Sequence, residues 1–220
     1  MDGCFDCSRN RLTSLEYAPK KVTDGFFCDR NKLTSLEGVP ETIDGEFNCS
    51  HNLLTSLKGA PKRVTEIFDC SCNSLTSLEG LPEGTKNIYI LHNKITSLDG
   101  LPEVIEGSFD CSFNQLKTLH GSPRKVGEGF SCSNNQLVDL EGGPGYVGTS
   151  YNCSNNELVT LKGAPKSIPV SFNCKNNRLT SFEGAPETVK SDFVCGGNPL
   201  KSLDGSLKFA DTLWYGEYGT

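Results

Sequence analysis

The stretch Phe47-Asn48-Cys49-Ser50-His51-Asn52-Leu53-Leu54-Thr55-Ser56-Leu57-Lys58-Gly59-Ala60-Pro61 constrains this chain more than any other feature in it. Its pattern, F-x-C-S-x-N-x-L-T-S-L-x-G-x-P, returns about every 21 residues, and a period of that length marks a solenoid. In such an array each coil touches only its neighbours, so the 220 residues form a strip of core rather than one or two globules. Aligning on the asparagine gives Asn10, Asn31, Asn52, Asn73, Asn93, Asn114, Asn135, Asn156, Asn177 and Asn198. An aliphatic column follows two residues later (Leu12, Leu33, Leu54 onward) and a second three residues beyond that (Leu15, Leu36, Leu57 onward). An aromatic column runs from Phe5 and Phe26 to Phe193, with Ile88 in the fifth copy, and a Val/Ile column from Val22 to Val189 precedes it.

A hydrophobic content of 35% with 23 Gly and 11 Pro is poor for a globular core. The strict columns nevertheless indicate a turn-rich ordered array. The net charge of −6 excludes partners that offer a phosphate backbone, because nucleic acid requires a basic stripe. It leaves room for a basic protein partner. Met1-Asp2-Gly3-Cys4-Phe5 has neither a basic region nor an apolar run, so no leader is expected. No segment is apolar for long enough to span a membrane as a helix.

Of the 11 cysteines, nine form one repeat column, Cys7, Cys28, Cys49, Cys70, Cys111, Cys132, Cys153, Cys174 and Cys195. They alternate with the aromatic column, so they should face inward as small apolar residues. Adjacent in-register strands hold equivalent side chains about 4.8 Å apart, which is poor geometry for regular bridging. Reduced, buried thiols and a cytoplasmic setting are expected.

Alternation at Val, Phe and Cys is the period-2 signal of a short strand, and the strands should stack as a parallel sheet. The asparagine sits where the chain leaves the strand, and its amide can donate and accept toward neighbouring turns. Gly38, Gly59, Gly80, Gly100, Gly121, Gly142, Gly163 and Gly184 each stand two residues before a proline. That spacing reads as a turn followed by extended chain, and it excludes a long helix on the return.

The unit resembles the leucine-rich repeat, whose L-x-L-x-x-N-x-L segment stands here as F-x-C-S-x-N-x-L. It departs in placing Phe and Cys at two leucine positions and in its very short connecting half, a form most similar to bacterial effector and bacteriophage repeats. The resemblance implies a β-rich solenoid of ten short coils, with a parallel sheet on one face and helix-poor turns on the other. It covers residues 1–206, leaving 207–220 as a C-terminal cap or tail. It also implies a non-catalytic protein-recognition role, such as an effector or inhibitor that occludes a host or defence protein. An assembly component and a thiol- or metal-responsive protein are the alternatives.

Three irregularities break the array. The fifth copy, Asn87-Ile88-Tyr89-Ile90-Leu91-His92-Asn93, is one residue short and replaces both Phe and Cys with Ile. The first copy starts almost directly with its strand, and that uncapped edge offers a route to a homodimer. The last copy loses its G-x-P turn and runs into a segment with Trp214, Tyr215 and Tyr218, read as a cap or a docking tail.

If Phe and Cys face inward, the residues between them should face the open side of the sheet. Copies seven to nine are monotonous there in Ser and Asn, whereas copies two to six are diverse. Phe27, Arg30, Ile67, Asp69, Tyr89, Leu91, His92, Asp110 and Phe113 are therefore the candidate partner-binding residues, with Asp29 and Glu46 joining Asp69 and Asp110 as an acidic rim that steers a basic partner. The Ser column through Ser50 and Ser71 is expected on the same open face. His51, Cys72 and His92 share one column in three successive copies and are weighed as zinc ligands or as imidazoles that lower a thiol pKa. The preferred reading there is three surface substitutions, with no metal and no cofactor. Cys4-Phe5-Asp6-Cys7 has no second CxxC partner. His120 falls on a connecting turn, no phosphate-cradling glycine loop opens a helix, and no catalytic set emerges.

Overall fold

A computed structural model of the chain describes residues 3–205 in full and the backbone of residues 212–214. The chain divides into two compact units, Met1–Thr96 and Ser97–Thr220, built on the same coil. In the first unit, strands Cys4–Asp6, Gly25–Phe27, Glu46–Asn48, Ile67–Asp69 and Asn87–Tyr89 pair in parallel, one per coil. In the second unit, strands Phe109–Asp110, Phe130–Ser131, Tyr151–Asn152, Phe172–Asn173, Asp192–Val194 and Thr212–Trp214 do the same. No described residue is helical.

Register follows the aromatic column. Phe26 stands opposite Phe47, and Phe47 opposite Phe68. In the second unit Phe130 pairs with Tyr151, and Tyr151 with Phe172. The rings stack inside each unit at centroid separations such as 5.8 Å for Phe26–Phe47 and 4.9 Å for Phe130–Tyr151, within the range where aromatic pairs attract. The phenol oxygen of Tyr151 is buried without a hydrogen-bond partner, and a Cβ at Gly143 would come within 3.2 Å of it. Neighbouring copies carry Ala or Ser at the position of Gly143; the glycine makes room for the extra oxygen.

The asparagine column ties each coil to the one before it. In the second unit the Nδ2 of Asn135 donates to the Cys132 and Ser133 carbonyls of its own coil, at 3.1 and 3.3 Å, and to the Cys111 carbonyl of the preceding coil at 3.1 Å. Its Oδ1 accepts the Leu116 N–H at 3.0 Å. Asn52 repeats the arrangement in the first unit, reaching the Cys28 carbonyl at 3.0 Å and accepting from Leu33 at 2.9 Å. One short side chain thus satisfies backbone groups that the turn would otherwise bury unpaired.

The cysteine column lies in the core as expected, and all the cysteines are free. The Sγ of Cys111 and of Cys153 donates to the Ser131 and Asn173 carbonyls of the following coil, both at 3.3 Å. Burial pushes these thiols above their ordinary range, so they stay protonated and unreactive.

The return half adds something the turn signals did not convey. The Val/Ile column builds two-residue parallel strands on the far side of the coil. In the first unit these are Thr42–Ile43 and Arg63–Val64. In the second they are Val104–Ile105, Lys125–Val126 and Tyr146–Val147, then Ser167–Ile168 and Thr188–Val189. Each interruption has a local cause. Gly127 and Gly148 donate to the Ile105 and Val126 carbonyls, but Pro169 occupies the next equivalent place and has no N–H to give. In the first unit the shortened copy puts Thr85 in the Val slot, with its hydroxyl turned to the Pro82 carbonyl at 3.3 Å. Pairing there shrinks to one bridge, Arg63 with Glu83. The G-x-P turns need glycine: Gly163 has φ +95°, and a Cβ there would collide with the Leu140 carbonyl.

Replacing Asn135 with Ala strands the Leu116 N–H and removes the amide from three carbonyls. At about 1–3 kcal/mol per buried unpaired group, Asn135→Ala is expected to destabilise by about 3 kcal/mol or more, read as a lowered midpoint of urea unfolding.

Candidate functional site

The residue just before each asparagine is left-handed. In the first unit Arg9, Arg30, His51, Cys72 and His92 have φ of 54°, 53°, 52°, 54° and 53°, and in the second unit Phe113, Asn134, Asn155 and Asn176 have φ of 54° to 55°. Gly197 completes the column at 69°. This conformation reverses the chain so that the asparagine enters the core. It also aims the N–H at the following coil, as in His51 N–H to the Ser71 carbonyl at 2.9 Å. For an ordinary L-residue the conformation costs about 1–2 kcal/mol, and Gly and Asn tolerate it best. The copies from Asn134 to Gly197 carry those tolerant residues, whereas those from Arg9 to Phe113 carry Arg, His, Cys or Phe. The sequence reading treated this column as merely variable. The run of Asn and Gly at its end was the available signal that it is left-handed.

Arg30 and His92 are exposed at this rim, and Phe113 is 44% exposed in the second unit. Arg30 lies 3.9 Å from the Asp29 carboxylate. Inside the rim of the first unit, Phe27, Ile67, Asp69, Tyr89 and Leu91 are all half-buried. Asp110 is half-buried in the second unit, where its Oδ1 accepts the Ser112 N–H at 2.8 Å. The structure thus brings five of the candidates together on one outward face of the first unit, with Arg30 and His92 at its rim, and places Asp110 and Phe113 in the second.

The serine column departs from expectation. Ser50, Ser71, Ser112, Ser133 and Ser154 are buried rather than open, because the left-handed turn folds them beneath their neighbours. Ser112 and Ser131 share a 2.7 Å hydroxyl contact, and Ser133 donates to Ser112 at 3.0 Å. In the first unit Ser50 donates to Asn48 Oδ1 at 2.8 Å. Ser71, which the sequence reading passed over as an open-face serine, lies against Asp69 without completing a hydrogen bond through its hydroxyl.

Asp69 accepts the Ser71 N–H at 2.9 Å, the place filled by Asn48, Asn152 and Asn173 in other coils. Burial holds the Asp69 carboxyl above its ordinary value, and Asp29 adds to the rise; Ser71 and His51 pull the other way. Glu46 is raised by burial and then by Asp69 and Asp29.

The His51, Cys72 and His92 column does not assemble a metal centre. Among the described residues no group of three or more His, Cys, Asp or Glu is disposed to hold an ion. The Cys72 thiol is raised, by burial and by Asp69, rather than lowered by its imidazole neighbours. On the return side of the first unit an open groove of about 720 Å³ is lined by Lys58, Lys62, Arg63, Glu79 and Glu83 among others, and it contains none of the candidate residues. No described helix is long and apolar enough to cross a membrane. Trp214 contributes its backbone to a strand paired with Asp192–Val194, while Tyr215 and Tyr218 lie outside the described residues.

Two outcomes follow. Arg30→Asn is expected to raise stability by about 0.5–1 kcal/mol through relief of the left-handed penalty, measured by urea unfolding. Asp69 binds its proton more tightly folded than unfolded, so its favourable contribution is present in acid and lost as pH rises through the raised pKa. Asp69→Asn should therefore unfold at higher urea than the parent, with a margin that widens as pH climbs above 3.8.

No protein-family model matches the sequence, and no curated protein aligns with it significantly. Solved structures do match. YopM from Yersinia enterocolitica WA-314 superposes with a TM-score of 0.76 at 23% identity, over 94% of this chain and 45% of that one. The leucine-rich repeat domain of APL1B gives 0.70 at 17% identity, over 95% and 66%. The functional domain of InlJ from Listeria monocytogenes, described as including a cysteine ladder, gives 0.53 at 21% identity, over 95% and 58%. The chain spans less than two thirds of the length of each. With its parallel sheet of one strand from each coil, asparagine column and period of about 21 residues, the chain carries the leucine-rich repeat fold in its short form.

Proposed function

We propose that the chain is a non-catalytic protein-recognition solenoid that buries a partner's surface against the open side of its sheet, acting by occlusion or scaffolding. One observation carries this reading. From Arg9 to Phe113 the left-handed column keeps Arg, His, Cys and Phe where later copies have the tolerant Asn or Gly. Strained residues persist where something other than stability selects them. The same stretch holds half-buried Phe27, Ile67, Tyr89 and Leu91 on its outward side, the aromatic and aliphatic chemistry of interface centres. Asp110 and Phe113 are the candidates of the second unit. The finer reading is a bacterial or phage effector or inhibitor working in a cytoplasm; one fold neighbour is itself described as a leucine-rich effector protein, from Yersinia pestis.

A thiol-responsive role is disfavoured by the buried, raised thiols. The decisive experiment is capture from bacterial lysate on the immobilised chain. One stoichiometric partner is expected, lost when Tyr89→Ala and Phe113→Ala are combined in a variant that melts like the parent. Undiminished capture by that variant, or light scattering that shows only self-association, overturns the reading.

A further inference from the structure

In the first unit one outward row runs Phe27, Asn48, Asp69, Tyr89, each residue opposite the next in register. At about 4.8 Å per strand the row is about 14 Å long. Its two ends share a composition. The Phe27 ring lies across Gly25, where a Cβ would come within 3.1 Å of two ring carbons, so the glycine leaves the ring room. Gly25 stands opposite Glu46, so the Glu46 side chain leaves the neighbouring strand on the same face as the ring. At the other end Asp69 stands directly opposite Tyr89. Each end therefore couples an aromatic ring to a carboxylate, the pairing that receives an ammonium or guanidinium.

Neither carboxylate has a Lys or Arg partner among the described residues, and His51 only partly offsets the rise at Asp69. Exposed glutamates elsewhere find lysines, as Glu37 with Lys58 and Glu41 with Lys62 do, and Asp29 has Arg30. Among the described residues no ion pair reaches Glu46 or Asp69. Ser71, 4% exposed, is an independent sign. Its hydroxyl is buried against the Asp69 carboxylate and pulls that group's pKa down, yet it falls short of a completed hydrogen bond, whereas Ser50 donates to Asn48 in the coil before. The row thus carries an acid where other coils carry Asn, each accepting the same turn N–H. The exposed arginines nearest in sequence to these strands, Arg9 and Arg30, stand on the left-handed rim rather than along this row.

We propose that the sheet face of the first unit binds an extended basic segment of a protein partner, with one Arg or Lys at the Phe27–Glu46 end and a second at the Asp69–Tyr89 end. An extended chain advances about 3.3 Å per residue, so two cations two to four residues apart reach both ends. The inference rests on the recognition reading above and supplies its partner's chemistry.

The test uses the full chain and a fluorescein-labelled Gly-Arg-Ser-Arg-Ser-Arg-Gly peptide, with a version carrying Glu for Arg as control, followed by anisotropy in about 50 mM salt, where surface charge is weakly screened. The basic peptide should bind saturably and the acidic one not at all. Asp69→Asn and Glu46→Gln should each weaken binding about fivefold or more, and Phe27→Leu about threefold. Glu183→Gln, remote from the row, should leave binding unchanged. Asparagine is already accommodated at the equivalent of position 69 in other coils, so the Asp69 variant reports on binding even if Phe27→Leu melts early. Binding of the basic peptide by Asp69→Asn and Glu46→Gln at parental strength overturns the proposal, as does equal loss with Glu183→Gln. A lysate partner lost with Tyr89→Ala but kept by the doubly neutralised row would sink the basic segment and leave the recognition face standing. A partner kept by both would remove the face itself.

Discussion

The side-chain amide of the repeat asparagine is the interaction on which the rest depends. At Asn135 it joins two carbonyls of its own coil to a carbonyl and an N–H of the coil before. A bond set of that kind closes only if each coil presents the same backbone at the same height. Register is therefore imposed coil by coil, and aromatic packing follows because in-register strands put Phe over Phe. The shortened copy illustrates the constraint. Its missing residue falls between Pro82 and Ile88, in the return half, while the interval from Ile88 to Asn93 matches that from Phe68 to Asn73. The return half can lose a residue at the expense of a two-residue strand; the asparagine turn cannot.

That turn also decides which residues are available to a partner. Driving asparagine inward requires a left-handed residue immediately before it, and that residue's side chain then stands at the rim. The same reversal hides the serine two positions before the asparagine. Where it carries serine, a row that looks open in an alternating pattern is thereby closed, Leu91 in the fifth coil staying half-buried, and recognition falls mainly to the rows flanking the aromatic column and to the rim. Asn and Gly in the rim, and Asn in the row of Asp69, serve the fold best. Departures from them are the places where the molecule holds a less stable choice, as functional sites commonly do.

The placement of the core cysteines and of the ion-paired surface charges follows from stacking. A thiol fits between aromatic layers and finds a carbonyl one coil away, as at Cys111 and Cys153. Charges a full period apart sit side by side, so Lys58 meets Glu37 and Lys162 meets Glu141. Such exposed pairs are worth little individually.

From sequence alone the coil, its period, the inward Phe and Cys, the bridging asparagine and the glycine turns were all legible, because each is dictated by a residue type recurring at fixed spacing. The acidic row with its aromatic ends was legible as a list of diverse residues, without its geometry. Only the tertiary structure decided that the rim column is left-handed, that Ser71 is buried beside Asp69, that Phe27 lies over Gly25, and that the return half pairs into strands broken at Pro169 and Thr85. These depend on where the next coil's carbonyls and rings come to rest. That placement is set by contacts a full period apart in the chain, and no local pattern records it.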